Sequence, residues 1–146
     1  MPYPSNMPGS WSYKTHLIYE NVARYWYFGD FGQFDYNLKI ADKYLVEAKT
    51  LFEYKQYLLG YGALKKSDQY FVNIFPNLIK ADKNGKNVLQ KRKIFEEASR
   101  KHMEILKEME NNNPDSFVWE PEKSIPTNLD LKKAFEESIY LREKNI

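Results

Sequence analysis

Apolar residues recur at helical intervals along most of this chain. The clearest run is Leu38, Ala41, Leu45, Ala48 and Phe52, spaced 3, 4, 3 and 4. That is the seam of a helix packed in a bundle. Ile40, Tyr44 and Leu51 widen the stripe, while Lys39, Asp42, Lys43, Glu47 and Lys49 fall largely away from it. The pattern predicts a helix from about 34 to 57. Ahead of it, Ile18, Val22 and Tyr25, flanked by Leu17 and Trp26, predict a first helix over 13–28 with Ser12 as its cap. Gly29-Asp30-Phe31-Gly32 should break that helix.

Further along, Gly60 and Gly62 mark a turn or a weak helix start. Leu64, Phe71, Ile74, Phe75 and Leu78 predict a third helix over 61–81, with Pro76 kinking it or ending its first half. Asn84-Gly85 is a left-handed stop. Val88, Ile94, Phe95, Ala98, His102, Ile105, Leu106 and Met109 trace the buried side of a fourth helix over 87–111. Thr127-Asn128-Leu129-Asp130 has the form of a capping box with Asp in place of Glu. A last helix follows, carrying Leu131, Ala134, Phe135, Ser138 and Ile139.

No stretch alternates as a strand would. The expected fold is therefore all-α, an up-and-down bundle of four to five helices. It forms one domain: an extended Pro-rich lead-in over 1–12, the main bundle over 13–111, a Pro-rich loop over 112–127 packed by Trp119, and a C-terminal helix over 128–146.

Composition narrows the function. With 146 residues the chain can bury a core without staples. It has no cysteine, hence no disulfide, thiolate metal site or thiol nucleophile. Lys and Arg number 22 against 20 Asp and Glu, and that balance argues against a nucleic-acid binder. No apolar run is long enough to span a membrane, and no basic segment followed by an apolar one marks an intact signal peptide.

Candidate chemistry is sparse. A metal site needs ligands at fixed spacing; His16 has Glu20 at i+4, while His102 has Glu104 two residues on and Glu97 five before, both poorly placed. Of these, only His16 and Glu20 share a helix face, and a hydrogen-bonded bundle histidine is the plainer account of His102. Ser99 lies one turn before His102, yet no oxyanion donor accompanies it, and a helical Ser usually bonds back to its own turn. Phosphate loops and nucleophile elbows are absent. No cofactor and no catalytic residue is therefore expected. The outlier is aromatic content: 24 rings, 11 of them in the first 36 residues. Tyr25-Trp26-Tyr27-Phe28 cannot all enter one helical face. A thick aromatic core plug would explain it; an exposed partner-binding patch of Trp11, Tyr25, Trp26, Tyr27 and Phe31 is the functional alternative.

Pro8-Gly9-Ser10, Tyr13, Leu17-Ile18 and Glu20 together resemble the opening of a bacterial domain-of-unknown-function family, number 5667. Ala41-Asp42-Lys43, Leu45, Glu47-Ala48 and Leu51 resemble its central helix. Ala98-Ser99, Lys101-His102, Glu104 and Leu106 are similar to a motif of its longer members that has no assigned role. The chain departs from the family at two usually basic positions, His16 and Tyr44. The resemblance, over about 8–110, implies a helical domain on the extracytoplasmic side of a bacterial envelope, of the kind found in candidate-phyla bacteria and some actinobacteria. It implies membrane proximity through an anchor, this sequence then being the exported portion with its anchor removed or absent. The expected function is a non-enzymatic interaction module that binds a protein partner or itself. The alternative is a bundle that binds a small ligand or metal near His102, recognisable by a polar cavity there with a Glu converging from another helix.

Overall fold

The computed structural model describes residue 18, residues 29–122 and residues 124–146. The lead-in and most of the expected first helix lie outside the described residues; Ile18, placed on that helix's buried face, is 65% exposed. Among the described residues there are five helices and one hairpin. They are α1 (Gly29–Glu53), α2 (Tyr57–Phe71), α3 (Ile74–Lys83), α4 (Leu89–Asn112), β1 (Ser116–Trp119), β2 (Thr127–Asp130) and α5 (Leu131–Glu143). The architecture is a helical bundle, as the periodicity predicts, with a small two-stranded sheet added.

Helix α1 begins at Gly29, inside the expected break. Gly29 takes φ +73°, a left-handed entry that glycine adopts at little cost. Asp30 follows in the first turn, where its carboxylate meets the positive end of the helix and accepts from the Asn84 side chain at 3.0 Å. The helix ends at Glu53 without a glycine. Lys55 holds φ +59°, Lys55 N–H donates to Phe52 O, and Gln56 N–H donates to Leu51 O. That is a Schellman closure with lysine in the left-handed position.

The expected third helix is two. Pro76 is the third residue of α3, where no intrahelical donor is needed, and its ring excludes the carbonyl four residues back. The chain accordingly breaks at Val72-Asn73. Gly60 marks no turn: it is inside α2 and buried, and a Cβ there would lie 3.0 Å from the Phe52 ring. It lets α2 approach α1. Asn84-Gly85 stops α3 as expected, with Gly85 at φ +78°.

The Pro-rich loop is in fact a hairpin. Strands β1 and β2 pair antiparallel, with Phe117 opposite Leu129 and Trp119 opposite Thr127. Phe117, not Trp119, packs inward, its ring 5.0 Å from that of Tyr57. The expected capping box is displaced: Asp130 is itself the cap of α5, accepting from Lys133 N–H at 3.0 Å.

Two main apolar clusters form the core. One joins Leu45, Leu51 and Phe52 of α1 to Leu64, Leu106, Leu131 and Phe135. The other joins Phe34 and Ala41 of α1 to Phe71, Ile74, Leu78 and Phe95. Two expectations fail at single positions: Ile94 is exposed and Glu47 is buried. Arg142, on which the sequence is silent, is fully buried.

Candidate functional site

Along α1, α2 and α4 the positions that separate the two clusters are polar. Asp42, Ser67, Asp68, Ser99 and His102 fall there, joined by Ser138 and Arg142 from α5. Buried polar groups must find partners or cost several kcal/mol, so these residues have to satisfy one another.

Arg142 is the hub, 0% exposed. Its Nη1 donates to Asp68 Oδ1 at 2.5 Å and to the Ser138 carbonyl at 3.0 Å. Its Nη2 donates to Ser67 Oγ at 2.9 Å, and its Nε donates to His102 Nδ1 at 3.1 Å. Ser138 Oγ donates to the second Asp68 oxygen at 2.6 Å, and Ser67 Oγ donates to the Ala41 carbonyl at 2.8 Å. The guanidinium also lies over the Phe71 ring, 4.6 Å from its centroid. One planar fork thereby ties α5 directly to α2 and α4, and through Ser67 to α1.

This geometry fixes the state of His102. A guanidinium nitrogen can only donate, so Nδ1 must offer its lone pair. The proton sits on Nε2, which donates to Asp42 Oδ1 at 2.5 Å. The imidazole is neutral and both nitrogens are engaged. Burial lowers the His102 pKa below its usual value and the Arg142 charge lowers it further, against the opposing hydrogen bond to Asp42. Burial likewise pulls Arg142 below its ordinary value, opposed by Asp68. Solvent meets the network at Asp42, whose side chain is 53% exposed.

Chemically the layer is closed. Ser99 Oγ donates to the Phe95 carbonyl at 2.8 Å, back to its own turn, and not to His102. The hydroxyls of Ser67 and Ser138 are spent on the Ala41 carbonyl and on Asp68, and the imidazole's one lone pair is held by Arg142. The carboxylates of this layer are Asp42, which His102 meets directly, and Asp68, reached through the Arg142 guanidinium. Among the described residues no group of three or more His, Asp and Glu is placed to hold a metal ion.

The other sequence-derived candidates separate. Lys101 and Glu104 pair with each other on the surface at 3.3 Å while His102 points inward, so the three do not form one site. Trp11, Tyr25, Trp26 and Tyr27 lie outside the described residues. Phe31 is half-buried, with Lys86 Nζ 5.2 Å from its ring centroid. Arg142 was hidden in sequence by its place in a charged C-terminal stretch. Its only signal is position: it continues the buried row Leu131, Ala134, Phe135 and Ser138 at i+4.

Exposed apolar residues are spread over the helices, among them Leu59, Ile79, Leu89 and Tyr140, and three more stand on the hairpin and its loop. Val118 is 51% exposed, Trp119 40% and Ile125 85%. Phe117 and Leu129 anchor its base against the core, so these three project from a fixed support. Each strand has one neighbour among the described residues.

No family model matches this chain. No curated protein and no solved structure is similar to it either.

Proposed function

We propose that this protein is a non-enzymatic helical interaction module that binds a protein partner, or a second copy of itself, through an aromatic-containing surface. By its resemblance to family 5667 we place that role on the extracytoplasmic side of a bacterial envelope. The observation that carries the reading is the hairpin. A large aromatic and two branched aliphatic side chains stand exposed on a short, firmly based arm. Tyr and Trp are enriched in binding hot spots because they join apolar area to a polar handle. The closed interior supports the same reading, since its polar groups are spent on one another.

Light scattering coupled to size exclusion tests this, on the wild type and a Trp119→Ser, Ile125→Ser variant over a wide concentration range. The expected result is concentration-dependent association, or partner binding in cross-linking, that the variant abolishes with its helicity intact. A variant that associates and cross-links as the wild type does would contradict the reading.

A further inference from the structure

Away from the hairpin, a groove of about 380 Å³ opens between α1 and the α2–α3 junction, within the usual range for ligand sites. Five of its eight lining residues are carboxamides: Gln33 and Asn37 on one wall, Gln69, Asn73 and Asn77 on the other. None is charged, in a chain where 29% of residues are, so the ligand that fits is uncharged. Asn37 is 7% exposed and lines the groove. Its amide is able both to donate and to accept, as a peptide group requires.

We propose that this groove binds an extended, uncharged peptide segment by its backbone. Spacing favours a peptide. Carboxamides four residues apart on a helix rise by about 6 Å. Gln33 and Asn37 keep this interval, and so do Gln69, Asn73 and Asn77, because Val72 and Asn73 retain right-handed helical dihedrals. Peptide groups facing one way along an extended chain repeat every two residues, about 6.6 Å. Asn37, Gln69 and Asn77 can thus meet peptide N–H and C=O groups in register. Asn73 contributes mainly its oxygen, since its Nδ2 already donates to the Gln69 carbonyl at 3.0 Å. A neutral saccharide would need an open ring face to stack on. Tyr70 has one face stacked on Tyr44, 6.0 Å between centroids, and meets Tyr36 edge-on at 6.1 Å, while Tyr36 is 2% exposed.

The test is a titration followed by the side-chain amide resonances of Asn37 and Asn77. The probes are an acetylated and amidated peptide of four Thr-Ser repeats and, separately, cellotetraose. The expected result is saturable shifts with the peptide at about millimolar concentration or below and none with the saccharide. Asn37→Ala should weaken binding by tenfold or more, and Asn77→Ala by less. Asn77 is only half-buried, so its variant remains informative if Asn37→Ala fails to fold. Shifts with cellotetraose alone, or with neither probe, overturn the proposal. The hairpin variant should leave this titration unchanged, so the two surfaces stand or fall separately.

Discussion

At the residue scale, two glycines two positions apart on α2 have opposite roles. Nothing lies within 4 Å of a Cβ built on Gly62, whereas one on Gly60 meets the Phe52 ring at 3.0 Å. Phe52 cannot yield easily, because it is 2% exposed and packs on the Phe135 ring at 5.1 Å. Gly62→Ala should therefore gain about 0.5–1 kcal/mol from helix propensity. Gly60→Ala should lose about 1 kcal/mol net, since overpacking costs about 1–3 kcal/mol and propensity returns about 1. Urea midpoints of the two variants check both signs. His102 makes a second prediction at this scale. Its folded pKa lies below its unfolded one, so the unfolded chain binds the proton first, from about pH 6.5 downward. Stability from the neutral form is full above that pH and is lost as pH falls, at up to about 1.4 kcal/mol per pH unit. Denaturant titrations between about pH 7.5 and 5 should show this slope in the wild type and a shallower one in His102→Gln.

At the element scale, periodicity located the helices and backbone chemistry set their ends. The row Ala41, Leu45, Ala48 and Phe52 is buried as its spacing requires, and the Asn84-Gly85 stop is where the sequence puts it. The end of α1 was illegible because lysine occupies the left-handed position that glycine usually marks. The hairpin was illegible because its strands are four residues each, too short for alternation to register, and because Asp130 serves both β2 and the cap of α5. The groove amides gave no sequence signal either, since they are brought together from α1, α2, α3 and the α2–α3 junction. Lys55 yields a prediction. Left-handed backbone costs a side-chain-bearing residue about 1–2 kcal/mol, and glycine avoids most of it. Lys55→Gly should raise stability by about 0.5–1 kcal/mol by the same urea assay, with the helical signal unchanged. A neutral or destabilising outcome would show that Lys55 makes interactions that offset its strain.

At the scale of the whole molecule, two apolar clusters are joined through one polar layer. A buried ion pair adds little net stability against an apolar replacement, yet removing one partner is costly. What the layer supplies is registry. Arg142 binds partners on α2, α4 and α5 in one geometry, and sliding any of these helices by a turn would strand a buried charge. The sequence shows where the polar positions fall but not their partners, because Asp68 and Arg142 lie 74 residues apart. The same closure bears on function. A histidine held between Arg142 and Asp42 has no lone pair for a substrate proton or a metal, which turns attention to the hairpin and the amide groove. Closure of the layer therefore hinges on the protonation state of one ring. A long-range proton–nitrogen NMR spectrum of the His102 imidazole at pH 7 reads it directly. The expected spectrum is that of a neutral ring with its proton on Nε2 and a bare, hydrogen-bond-accepting Nδ1. A proton on Nδ1, whether in the other neutral tautomer or in an imidazolium, would contradict it, for Arg142 would then have no acceptor there and the polar layer would not be closed.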